Sequence, residues 1–255
     1  MTKPICLWSG PRNVSTALMY SFAEHPGVRV IDEPLYGHYL RVSGANHPGR
    51  HEIMTAMNCD GDAVMRDLLL QQVEDQSNVL FMKHMAHHLT ELDAGFLRST
   101  NNIFLIRDPR EMLPSLTIQL PHATLSDTGL RRQWELYTEL ADSGQRPIVL
   151  DSRELLRNPE SVLRQLTLHL NIEFTGNMLS WRTGARDEDG IWAQHWYHAV
   201  HRSTGFAPYE AKTTFPDHLQ PLLDACNPWY EKLCEQALRI NAGTRTSNNH
   251  MDKAQ

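Results

Sequence analysis

The chain has 255 residues, 41% of them hydrophobic and 21% charged, with a formal net charge of −6. That length supports one substantial core. The excess of acidic residues argues against a broad nucleic-acid surface, while leaving room for a local basic pocket. Cys6, Cys59, Cys226 and Cys234 form no Cys-x-x-Cys pair, so reduced structural thiols are expected rather than disulfides or a zinc site.

Residues 5–8 open a first strand so close to the start that a cleavable leader is not expected, and no apolar run nears the ~20 residues of a membrane-spanning helix. A cytoplasmic, unprocessed protein is the expectation. After this strand comes Ser-Gly-Pro-Arg, then a helix opening on Ser15 and Thr16. The free N–H groups and dipole of a helix start favour an anion, so the loop Arg12, Asn13, Val14, Ser15 and Thr16 is a candidate anion seat. The Gly-Lys-Ser/Thr ending of a nucleotide-hydrolysing loop is missing.

Short apolar runs recur at residues 28–31, 79–82, 103–106 and 148–150, with helically patterned segments at 63–75 and 130–144 between them. Such runs suit strands buried on both faces, and the alternation predicts an α/β domain with a central, mainly parallel sheet. In such sheets ligands gather at the carboxyl ends of the strands. Glu33 follows the second run, Lys83 and His84 the third. Arg107 follows the fourth, with Ser115 eight residues on along the next helix, where guanidinium and hydroxyl could share a phosphate. His84, His87 and His88 lack the carboxylate or Cys of a helical zinc motif, and no metal is expected. Asn158 and Pro159 read as N-cap and first helical position, and a last helix over residues 218–240 is expected to kink or split at Pro228. The segments after Glu33 and around residues 121–128 read as loops over the site. One domain, 1–241, precedes a polar tail, 242–255, expected to be disordered.

Pro11, Arg12, Ser15 and Thr16, followed by Arg107, Pro109 and Ser115, resemble the motifs of sulfotransferases that use 3′-phosphoadenosine 5′-phosphosulfate (PAPS). Those enzymes carry Pro-Lys/Arg-x-x-Ser/Thr-Thr for the 5′-phosphosulfate and an Arg…Ser pair for the 3′-phosphate. Farther on, Arg182, Gly184, Gly190, Trp192 and His195 align with Arg-Lys-Gly and Gly-Asp-Trp-Lys-Asn-His elements, and "SRELLRNPE" is similar to Tyr-Glu-x-Leu followed by Asn-Pro-Glu, with Ser152 in place of the Tyr that touches the adenine. The resemblance implies a P-loop-NTPase-like three-layer fold with PAPS as co-substrate. It implies Arg12 at the leaving 5′-phosphate, and Arg182 with Gly184 at the 3′-phosphate.

The acceptor implied is a small-molecule hydroxyl or amine, with neither nucleic acid nor membrane as partner and a homodimer left open. Glu33-Pro34 resembles the Glu-Pro element of carbohydrate and bacterial members, where a Glu is the base. Glu33 therefore ranks first as base and His84 second, with His87 and His88 as further candidates, and Lys83 is expected to face the sulfuryl oxygens. Strand alternation would send Lys83 and His84 to opposite faces. A small-molecule kinase on the same fold and an inactive nucleotide-binding module are the alternatives.

Overall fold

In a computed structural model, described for residues 2–74 and 78–239, five strands share one sheet: β1 (Ile5–Ser9), β2 (Val28–Asp32), β3 (Val79–Met85), β4 (Asn101–Ile106) and β5 (Ile148–Asp151). Their order is β2-β3-β1-β4-β5 and every pairing is parallel. The inner strands are buried on both faces, because parallel strands need crossover helices and those helices cover the sheet, while at the edge β2 leaves Arg29 and Ile31 half-buried. The helices are α1 (Ser15–Ala23), α2 (Tyr36–Ser43), α3 (Arg50–Ala56), α4 (Gly61–Glu74), α5 (Pro109–Leu116), α6 (Leu125–Thr128), α7 (Leu130–Asp142), α8 (Ser152–Arg157), α9 (Pro159–Leu170), α10 (Ala193–Trp196) and α11 (Gln220–Glu235).

Side-chain alternation divides the core into two layers. Cys6, Trp8, Leu80, Met82, Phe104 and Ile106 face α5, α7 and α11, with Leu113, Leu136 and Leu223 buried among them. Ile5, Leu7, Phe81, Ile103 and Leu105 face the opposite way, onto Leu18 and Phe22 of α1 and Leu163 and Leu166 of α9. This is the three-layer, P-loop-NTPase-like arrangement expected.

Four local expectations need correction. β3 runs on to Met85, so Lys83 and His84 lie within the strand rather than beyond it. The segment after Glu33 is largely helical, forming α2 and α3. The last helix continues through Pro228 as one element. Asn158 stands at the N-cap of α9, but its side chain makes no capping hydrogen bond. The four cysteines are unpaired thiols. Among the described residues no helix is long and apolar enough to cross a membrane. The expected disordered tail, 242–255, lies outside the described residues.

Candidate active site

A cavity of about 390 Å³ opens at the carboxyl ends of β1–β4. Its first wall is the loop between β1 and α1. A side chain at Gly10 would place Cβ 2.2 Å from the Thr128 carbonyl oxygen, so only glycine lets the chain pass there. Arg12 (φ 64°) and Val14 (φ 60°) then adopt left-handed backbone on either side of Asn13. For a β-branched residue this is a costly conformation, of the kind that clusters where backbone N–H groups must be aimed at a ligand. Asn13 ties the loop down by donating from Nδ2 to the Leu105 carbonyl at 3.2 Å. The first-turn N–H groups of α1 have no intrahelical acceptor, and the turn holds no acidic residue.

Arg12 and Ser115 meet in this wall. Arg12 Nε donates to Ser115 Oγ at 2.8 Å and its Nη1 to the Trp196 carbonyl at 3.1 Å, while Arg107 Nη1 donates to the Arg12 carbonyl at 2.9 Å. Arg107 leans on Glu111 at 3.5 Å, but among the described residues no carboxylate pairs with Arg12. Burial first, and the adjacent Arg107 second, depress the Arg12 pKa. Two neighbouring guanidiniums, one of them unpaired, make a place for an anion.

The second wall is a buried charge cluster. Lys83 Nζ, fully enclosed, donates to Asp32 Oδ1 at 2.7 Å and Glu33 Oε1 at 2.6 Å, and lies 2.6 Å from the Tyr197 hydroxyl. Tyr197 in turn donates to Asp32 Oδ2 at 2.7 Å, and Trp192 Nε1 donates to the Tyr197 oxygen at 3.2 Å. Burial opposes the ammonium, yet the charges of Asp32 and Glu33 outweigh it and hold the Lys83 pKa above its usual value. Burial is also the largest influence on Glu33. It raises the carboxyl pKa, with Lys83 pulling the other way.

A sulfotransferase-domain family profile matches residues 3–237. The chain belongs to the sulfotransferase family. It is 37% identical over 228 residues to the branched-chain-amino-acid aminotransferase-like protein 2 of Arabidopsis thaliana, a stretch that is 89% of this chain and 40% of the relative. The chain thus spans two fifths of that relative's length. A sulfotransferase from Alicyclobacillus acidocaldarius shares the fold with TM-score 0.54 at 13% identity, over 93% of this chain and 98% of that one. The sulfotransferase domain of the Synechococcus PCC 7002 olefin synthase does so with TM-score 0.51 at 18% identity, over 88% and 95%.

In this family member the expected site residues fall into two groups. Arg12, Asn13, Val14, Ser15, Thr16, Arg107, Ser115, Glu33 and Lys83 all line the cavity. His84, Arg182 and Gly184 do not. His84 points through the opposite face of the sheet and stacks on Trp8, ring centroids 4.4 Å apart, with neither ring nitrogen hydrogen-bonded. It is a core residue, and its place in the register leaves it no reach to an acceptor. Arg182 is exposed on the loop after Trp181, and Gly184 takes φ 105° in the same loop. The 3′-phosphate contact that the resemblance gave them is therefore not made by the cavity wall as it stands. His195 packs beside Gly49, and Ser152 is buried at the start of α8.

Lys83 also differs from its expected role, because its ammonium is engaged by two carboxylates and a phenol. Sequence reasoning missed Asp32 and the bond by which Tyr197 reaches it; His88, a further candidate base, lines the rest of the cavity with Tyr36, His47, Trp192 and Trp196. Burial drives the His88 pKa well below its usual value and that of His87 down to about 4, so these rings are neutral near pH 7.

Proposed function

We propose that this protein is a PAPS-dependent sulfotransferase that moves a sulfuryl group to a hydroxyl or amine of a small molecule. The observation that carries this is the convergence of Arg12, Arg107 and Ser115 with a strained, helix-capped loop on one side of a cavity whose other side holds Glu33. One wall suits a departing phosphate and the other suits a proton acceptor.

Sulfuryl transfer, like phosphoryl transfer, is a loose in-line displacement that gains most from positioning and charge stabilisation. Arg12 neutralises the 5′-phosphate as negative charge grows on its bridging oxygen, and the N–H groups and hydroxyls at Ser15 and Thr16 hold its other oxygens. Arginine stays charged throughout and donates no proton to the leaving group. Arg107 and Ser115 supply the contacts to the 3′-phosphate.

Glu33 takes the acceptor's proton. Its Oε1 is occupied by Lys83, while Oε2 lies 3.9 Å from His88 Nδ1 on the acceptor side of the cavity. That leaves one carboxylate oxygen for the acceptor. Rings and neutral imidazoles surround this end, as suits an uncharged or cationic acceptor with some apolar surface.

The decisive experiment incubates the purified protein with labelled PAPS and measures thermal unfolding with and without 3′-phosphoadenosine 5′-phosphate. Donor binding, protection by the product and an 80-dalton gain on one compound of a broad acceptor panel, the mass of a sulfuryl group, are expected. No binding and no protection would end this reading.

A further inference from the structure

We infer that Asp32 is a positioning residue for Glu33: its carboxylate takes the charge of Lys83 and the proton of Tyr197, and so leaves Glu33 free to act as a base. The inference rests on the proposed transfer for its catalytic meaning, but its physical content can be measured without any transfer.

A single Lys83–Glu33 pair would be a closed, neutral salt bridge. Its carboxylate would be stabilised as an anion and would be a poor proton acceptor. The cluster avoids this by pairing one ammonium with two carboxylates. Asp32 spends both oxygens inside it, Oδ1 on Lys83 and Oδ2 on Tyr197, and Oδ2 also lies 3.4 Å from the Gly190 N–H. Glu33 spends only Oε1, and among the described residues Oε2 accepts no hydrogen bond.

The backbone explains how neighbours in sequence share one lysine. Asp32 is the register partner of Lys83 in the parallel β2–β3 pair, so their side chains leave the same face. Glu33 should then point to the other face, but its left-handed backbone (φ 39°) turns it back onto the same ammonium.

The charged and titratable groups facing Glu33 are Asp32 from β2, Lys83 from β3, His88 from the turn after β3, Tyr36 from α2 and Tyr197 from the segment after α10. His88 is held neutral by its burial. Tyr36 and Tyr197 are held protonated, burial being the largest cause and nearby carboxylates adding to it. The balance at Glu33 is therefore burial upward, Lys83 downward and Asp32 upward. Asp32→Asn removes an upward contribution and lets Lys83 act on Glu33 alone.

The test is a pH titration of the full chain carrying 13C-labelled glutamate carboxylates, followed by NMR, with Glu33→Gln identifying the resonance. In Asp32→Asn the Glu33 midpoint should fall by about one unit, the lower end of what an opposite charge at contact produces. Asp32→Glu should restore it to within a few tenths. Asp32→Ser, which leaves room for a water, is a second charge-removing variant should Asn fail to fold. In a folded charge-removing variant, an unchanged or higher midpoint overturns the inference.

If the wild type transfers sulfuryl groups, Asp32→Asn should lower kcat by up to about tenfold, with KM for the donor within twofold, because a weaker base slows only the proton-transfer step. If the wild type binds no donor and transfers nothing, the proposed function fails while the titration still decides the role of Asp32.

Discussion

Arg12 and Ser115, 103 residues apart in sequence, are joined by a 2.8 Å hydrogen bond that brings the loop after β1 and the helix after β4 to one corner of the cavity. Arg12 also carries the unpaired charge of that corner. Arg12→Ala should lower transfer on the order of 10²–10³-fold, the usual loss when one preorganised donor to a developing charge is removed. Ser115→Ala removes one hydrogen bond to a charged group, worth about 1.5–3 kcal/mol, or roughly ten- to a hundredfold in product affinity. Steady-state kinetics and calorimetry with 3′-phosphoadenosine 5′-phosphate check both. Wild-type behaviour in Arg12→Ala would remove it from the site.

Glu33→Gln keeps the shape of the side chain and removes its basicity, and should cost about 10²–10⁴-fold in kcat with little change in donor affinity. Its pKa lies above the usual value of 4.5, raised chiefly by burial. In wild type the rate should therefore fall as pH drops through a midpoint above 4.5, because protonated Glu33 cannot take the acceptor's proton. A flat acidic limb of the kcat profile would point to another base.

Much of this was legible in the sequence, for reasons particular residues make plain. Four of the five strands announce themselves because parallel strands buried on both faces read as unbroken apolar runs, whereas the edge strand β2 carries Arg29 half-buried within its run. Arg12, Arg107, Ser115 and Glu33 stand out because strand ends are where such sheets bind ligands. Asp32 was hidden because strand alternation assigns it and Glu33 to opposite faces, and only the left-handed backbone at Glu33 cancels that rule. Tyr197 reaches Asp32 across 165 positions from an irregular segment with no periodicity to read. The segment after Glu33 looked like loop since His47-Pro48-Gly49 separates two helices too short to show a clear period. The Trp-x-x-x-Trp-Tyr run at Trp192 was the signal available, and it reads equally well as core.

Lys83→Met should be strongly destabilising, by about 3–5 kcal/mol, as expected when one partner of a buried ion pair is removed and its counter-charges stay behind. Asp32 and Glu33 would be left facing each other in a dry site. Denaturant unfolding near pH 7 should show the loss. It should shrink as pH is lowered and Glu33, whose pKa burial raises, takes up a proton.

His84 makes an opposite prediction about stability. Burial first, and the charge of Lys83 second, lower its pKa from 6.5 to about 3, so the folded protein holds a neutral ring that the unfolded chain would protonate. A depressed folded pKa gives a contribution fully present above pH 6.5 and lost as pH falls towards 3. His84→Phe keeps a ring to stack on Trp8, takes up no proton and removes two buried nitrogens that have no hydrogen-bond partner. It should raise stability at pH 8 by about 1–3 kcal/mol and flatten the decline of the unfolding temperature between pH 6.5 and 4. Transfer should be unaffected, because His84 lies on the far face of the sheet. Loss of transfer in a stably folded His84→Phe protein would return His84 to the list of candidate bases.

Gly10→Ala tests whether the anion loop depends on close backbone contact. Gly10 does not need glycine for its φ, which is not in the left-handed range; the obstacle is the Thr128 carbonyl oxygen, 2.2 Å from where Cβ would stand. Backbone cannot swing aside as a side chain would, so either the loop or the end of α6 must shift. Overpacking of this kind costs about 1–3 kcal/mol. The functional loss should exceed what that destabilisation explains, because a displaced loop carries Arg12 away from Ser115 and the donor with it. Product affinity should drop at least tenfold at a temperature where the variant remains folded, whereas a variant that is merely less stable would bind the product as tightly as wild type there.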